Sequence, residues 1–100
     1  MGEENKSFER KWSEYLGVKH CVLCANGLDA LTLILRAYKK LLDWNDCDEI
    51  IVPANTYIAT ILAIREADLT PVLVEPQMSD YNIHAEQCLN AITPRTRAIL

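Results

Sequence analysis

Three small groups of residues in this chain have types and spacings that could do chemistry. The first is "ANGLDA", residues 25–30, where an apolar run meets Asn26-Gly27 and a helix-like pattern starts at once. A helix N-terminus presents free N–H groups and the positive end of the backbone dipole, so it can receive a phosphate. Gly27 removes the side chain that would hold an anion off the backbone, and the N–H groups of Gly27 and Leu28 could point at one phosphate. Asp29 falls in the same first turn. Its charge suits the dipole but would repel an anion it faced, so an anion site requires Asp29 to point aside. The second group is "PANTYIA", where Tyr57 follows another strand-to-helix joint. Ligands of parallel sheets collect outside the carboxyl ends of the strands. Tyr57 could therefore cover a flat ring while the first joint holds the same ligand's phosphate. The third group is Cys21 and Cys24, a CxxC. A metal site would need a second pair at similar spacing, and Cys47, Cys88, His20 and His84 do not supply one. A redox pair would stand at a helix start, whereas this one lies inside the apolar run and reads as buried core thiols.

Both joints also have a plainer reading. Strand-Gly-helix connections occur in most α/β proteins, and neither GxGxxG nor GxxxxGK[ST] is present. Locally, Tyr57 reads equally well as a core aromatic, with Asn55 or Thr56 as a mere helix cap.

The elements that must position these residues follow from periodicity. Phe8, Trp12 and Tyr15-Leu16 recur at helical spacing, with Ser7 as the expected N-cap and Gly17 as the C-cap. "VKHCVLCA" reads as a short apolar strand. Leu28 to about Leu42 reads as a helix with Leu31, Ile34, Leu35 and Tyr38 on one face. "CDEIIVPA" is a strand halted by Pro53, "TYIATILAIREA" a helix, "TPVLVEP" a strand closed by Pro76, "HAEQCLNAI" a short helix, and "RAIL" a last strand. Near-continuously apolar strands alternating with helices predict an α/β layer with a mostly parallel sheet flanked by helices and right-handed crossovers.

Composition narrows the partners. The 100 residues suit one modest core, and a net charge of -4 with scattered Lys and Arg argues against a nucleic-acid partner. No apolar run reaches the roughly 18 residues of a membrane span, and "MGEENKSFER" is too polar for a secretion signal. The expectation is a cytoplasmic protein with reduced thiols.

Taken together, "FERKWSEYLGVKHCVLCANGLDALTLILRA", "DEIIVPANTYIATILAI", "TPVLVEP", "YNI" and "AITPRTRAIL" resemble the start of the DegT/StrS family of pyridoxal-phosphate-dependent nucleotide-sugar aminotransferases. The likeness covers nearly the whole chain in order and spacing. It implies that residues 1–100 are the N-terminal part of the large domain of a type I PLP-dependent aminotransferase, a piece of a longer protein. It implies pyridoxal 5'-phosphate as cofactor, with the N–H groups of Gly27 and Leu28 on its phosphate and Tyr57 stacked on its ring. The implied reaction is transfer of an amino group from a donor, glutamate, to a nucleotide-linked keto sugar. "ANGLDAL" with "PANTYIA" is similar to enzymes that aminate C3 of a dTDP-6-deoxy-keto-hexose.

The family's Schiff-base lysine matches none of Lys6, Lys11, Lys19, Lys39 or Lys40, so no catalytic residue is assigned. His84 stands where the family commonly has Asp, at a helix-cap position. The resemblance implies a homodimer at full length, and an isolated piece that is inactive because apolar faces and a sheet edge stay uncovered. The competing expectation is a non-catalytic remnant or interaction module that pairs through that open edge.

Overall fold

A computed structural model describes residues 2–100. Its elements run α1 (Glu3–Leu16), α2 (Gly27–Leu41), β1 (Glu49–Pro53), α3 (Ile58–Glu66), β2 (Thr70–Val74), α4 (Ala85–Ala91) and β3 (Thr96–Ile99). The three strands form one sheet in the order β2-β1-β3, and both pairings are parallel. The expected α/β layer is thus present, built around β1.

β1 is apolar throughout because both of its faces are covered. Alternate side chains of a strand point to opposite faces, so Ile50 and Val52 enter one cluster while Ile51 enters another. The first cluster contains Leu35 of α2 and Ala63 and Ile64 of α3. The second contains Val74 of β2 and Cys88 of α4. Ile50, Ile51, Val52 and Ile64 are fully buried. Burial of side chains of this size contributes about 1.5–3 kcal/mol each.

Charge closes the amino end of the sheet. Between Glu49↔Thr96 and Ile50↔Ala98 the β1–β3 register shifts by one residue, and Arg97 is the extra one. Arg97 Nε donates to Asp48 Oδ2 at 2.6 Å, and Arg95 Nη2 donates to Glu49 Oε1 at 2.9 Å. The Thr93 hydroxyl also donates to Glu49. Asp48 and Glu49 are both buried, and these partners satisfy them. At the far end of α2, Lys39 Nζ donates to the Ala67 carbonyl (2.9 Å) and Arg36 to the Glu66 carbonyl (2.6 Å). Cations there suit the negative end of α3.

Several sequence expectations change. Helix α1 begins at Glu3 with Gly2 as N-cap and no side-chain cap, so Ser7 lies within the helix. Glu3 and Glu4 in the first turn suit its dipole instead. Gly17 does end the helix, at φ 66, with N–H bonds returning from Gly17 to Glu14 and from Val18 to Ser13. Residues 18–25 form no strand, because none of the three strands pairs with them. Cys21 is therefore half-buried and Cys24 exposed, not core thiols. On α2, Ile34 and Tyr38 are exposed, and the face that packs is Leu28, Leu31, Thr32 and Leu35. Tyr38 stacks on Trp44 at 6.1 Å instead. Neither Asn55 nor Thr56 caps α3. Its N-cap position is Tyr57, with no side-chain hydrogen bond.

The Arg97 hydrogen bond is the main cause holding Asp48 below the usual carboxylate range, and the Thr93 hydroxyl is the main cause for Glu49, against an opposing effect of burial. Carboxyls depressed on folding contribute stability that is present above their unfolded values, near about 4, and lost as pH falls through the folded ones. The thermal midpoint should drop as pH is lowered from about 5 to about 2. Scanning calorimetry of Glu49→Gln should show a shallower acid dependence than the parent.

Candidate functional site

The site is built at the carboxyl edge of the sheet, where α2 and α3 begin. Asn26 is the N-cap of α2, in extended backbone, and its Oδ1 accepts the N–H of Asp29 at 2.9 Å. The Ala30 N–H reaches the Asn26 carbonyl at 3.1 Å. That leaves Gly27 and Leu28 as the first two residues of the helix, and their N–H groups have no acceptor among the described residues. Free amides at this position are a property of every helix start. Here they border an open groove of about 700 Å³ lined by Asn26, Gly27, Leu28, Tyr57, Ile58 and Thr60, among others. The structure thus brings Gly27, Leu28 and Tyr57 to one groove.

Asp29 does not face that groove. Asn26 Nδ2 donates to Asp29 Oδ2 at 3.1 Å, and Asp29 borders a neighbouring hollow with Cys24, Thr32 and Arg36. The one carboxylate that would repel an anion at the amides is thereby turned aside. Gly27 is not in the left-handed region, and a β-carbon added there would meet nothing within 4 Å. Neither backbone strain nor packing inside the chain demands glycine.

Tyr57 is 78% exposed, and among the described residues its hydroxyl has no hydrogen-bond partner, so its ring stands open. The turn beneath it is held by Ala54 N–H to Val74 O (2.8 Å) and Thr56 N–H to Pro53 O (3.1 Å). No lysine or arginine is among the groove residues. Charge complementarity for an anion comes from amides and dipole alone, worth about 0.3–1 kcal/mol and at most about 2. Lys39 lies on the last turn of α2, opposite the groove end, and is paired with Asp46 at 2.7 Å. Among the described residues no cluster of His, Cys, Asp or Glu is placed to hold a metal, and no helix is long and apolar enough to cross a membrane.

Two features escaped the reading of residue types. Asn26 both caps α2 and tethers Asp29. The signal was present as Asn-x-x-Asp, a cap residue with an acid three positions on. Thr60 borders the groove, and only its place one helical turn after Tyr57 hinted at it. His84 does cap α4, its Nδ1 accepting the Gln87 N–H at 3.5 Å.

This layer of parallel strands flanked by helices matches the N-terminal part of sugar aminotransferase structures. The profile of the DegT/DnrJ/EryC1/StrS aminotransferase family matches residues 1–100, and the chain belongs to that family. It is 54% identical over 100 residues to dTDP-3-amino-3,6-dideoxy-alpha-D-galactopyranose transaminase of Aneurinibacillus thermoaerophilus, covering all of this chain and 26% of that protein. Among solved structures, DesV of S. venezuelae in complex with a ketimine intermediate superposes with a TM-score of 0.81 at 38% identity, over 99% of this chain and 26% of that one. GDP-4-keto-6-deoxymannose-3-dehydratase with a trapped PLP-glutamate geminal diamine gives 0.84 at 31%, over 99% and 26%. The chain therefore spans about a quarter of the length of these relatives.

The roles of Asn26 and Gly27 in the bare fold are separable. Asn26→Ala should cost about 1 kcal/mol through the lost cap. Gly27→Ala should be neutral or stabilising by up to about 1 kcal/mol, since alanine is the better helix former. Urea denaturation of each variant checks both.

Proposed function

We propose that residues 1–100 are the cofactor-phosphate part of a PLP-dependent aminotransferase that aminates a nucleotide-linked keto-deoxy sugar. The observation that carries this reading is the pairing of open amides at Gly27 and Leu28 with the uncovered ring of Tyr57 on one groove, Asp29 being tethered out of the way. Phosphate fits the amides, and a flat heterocycle fits the tyrosine face. The residues present thus fit pyridoxal 5'-phosphate, which when bound supplies an electron sink for moving an amino group.

In this proposal the chain's own residues bind and orient. Gly27 and Leu28 donate N–H groups to phosphoryl oxygens, the start of α2 adds its dipole, and Tyr57 sets the plane of the ring. No lysine of this chain takes the catalytic place. Identity of 54% to a dTDP-3-amino sugar transaminase favours amination at C3 of a dTDP-linked 6-deoxy-keto-hexose. The dehydratase among the structural relatives shows why the fold alone does not choose between amination and dehydration. Glutamate is proposed as donor, and the complete protein as a homodimer in the cytoplasm.

Magnitudes decide what this part can do alone. A dipole contact worth at most about 2 kcal/mol falls far short of the roughly 8 kcal/mol that a micromolar affinity needs. Covalent and cationic contacts from the rest of the protein must supply the difference. The purified 100-residue chain should lose PLP absorbance on dialysis and show no transaminase activity. The complete protein should keep that absorbance and convert dTDP-linked 3-keto sugars with glutamate, and 4-keto sugars more slowly. A complete protein that stays colourless with PLP refutes the proposal. Gly27→Val in the complete protein should weaken PLP binding by roughly tenfold or more, as a side chain displaces the phosphate from the amides. Equilibrium dialysis measures it.

A further inference from the structure

Asn55 stands two residues before Tyr57, where a helix cap would be useful, yet it caps nothing. Its Nδ2 instead donates to the carbonyl of Tyr81, 26 residues on, at 3.0 Å. Tyr81 belongs to a tight loop after β2. Pro76 and Ile83 form an antiparallel bridge at the base of that loop. Inside it the Gln77 N–H bonds the Asn82 carbonyl (2.8 Å), the Tyr81 N–H bonds the Gln77 carbonyl (2.8 Å), and the Asn82 N–H bonds Asp80 Oδ1 (3.0 Å).

Tyr81 itself has φ 60, a left-handed conformation that a bulky side chain keeps only where its surroundings over-determine it. The loop is anchored as well as tight, since Ile83 packs against the cluster of Ile51, Val74 and Cys88. The Tyr57 side chain, by contrast, makes no hydrogen bond among the described residues. The joint that carries it is held by the backbone bonds of Ala54, Thr56 and Thr60, by Thr56 Oγ1 donating to Thr60 Oγ1 at 3.2 Å, and by the side chain of Asn55. Of the two side-chain bonds, that of Thr56 stays within the joint and that of Asn55 reaches another loop.

We propose that Asn55 is a positioning residue that latches the β1–α3 joint to the anchored 76–83 loop and so holds the Tyr57 ring at the groove. This rests on the PLP reading above for what the ring covers, but the latch itself is a property of the protein without cofactor. Asn55 touches no ligand in this scheme and acts only through the backbone that carries Tyr57.

The test uses the complete protein. Asn55→Asp keeps the shape and removes the donor but adds a charge beside the groove, so its Kd is read together with that of the uncharged Asn55→Ser, whereas Asn55→Gln keeps an amide donor on a longer arm. In the cofactor-free protein, Asn55→Asp should speed amide hydrogen exchange at Ala54, Thr56 and Thr60 by roughly three- to tenfold, the range expected for one lost hydrogen bond. The Kd for PLP should rise by a similar factor of roughly three to ten. The visible circular dichroism of bound PLP should weaken, and Asn55→Gln should recover part of each change. If Asn55→Asp does not fold, Asn55→Ser, too short to reach the carbonyl, carries the same measurements. Parental exchange, Kd and dichroism in the donor-less variant overturn the latch and leave the cofactor reading standing. Faster exchange with unchanged Kd and dichroism also overturns it, because the bond is then structural only. A parent protein with no bound-PLP spectrum overturns the cofactor reading, and the positioning role with it.

Discussion

Strand β1 is the constraint from which the rest of the arrangement follows. It is paired on both sides and covered on both faces, and its Ile50, Ile51 and Val52 are fully buried. Such a strand cannot slip by one residue without driving isoleucine and valine to the wrong layer. Because its register is fixed against β2, the turn at its carboxyl end is fixed too, through the bond from the Ala54 N–H to the last residue of β2. The start of α2 reaches the same edge because Leu31 and Leu35 pack on the face that Ile50 and Val52 present. The groove is a consequence of that packing.

The electrostatics divide along the sheet axis. At the amino end, two buried carboxylates are matched by Arg95 and Arg97 at a register shift, and the charges are consumed locally. At the carboxyl end, the groove residues include no cation, and the one nearby carboxylate is tied to Asn26. An anion arriving there meets dipoles and amides only. That is weak attraction but sharp geometry, suited to orienting a ligand whose affinity is supplied elsewhere.

Many large apolar side chains, among them Tyr15, Val22, Leu41 and Leu89, stay exposed among the described residues. On α1 Phe8 stacks on Trp12 and Tyr15 lies tilted against Trp12, and no residue of that helix is buried. Residues 18–25 are mostly apolar yet form no strand. The chain spans about a quarter of the length of its relatives.

What the sequence determined by itself was local. Gly17 ends a helix because it takes the left-handed conformation cheaply, and Asn26-Gly27 starts one. Gly27, Leu28 and Tyr57 were legible as candidates because two strand-to-helix joints of a parallel sheet open on one edge. Tertiary structure decided what depends on partners distant in sequence. Residues 18–25 carried a strand's composition, but a strand exists only where another lends it hydrogen bonds. Asn55 carried a cap's composition, but the Tyr81 carbonyl, set facing it by a fold 26 residues long, took the amide instead. Ile34 and Tyr38 shared a helical face with Leu31 and Leu35, but the width of the facing layer left them in solvent. Propensity and period are properties of neighbours in the chain, whereas pairing and burial are settled only when remote segments meet.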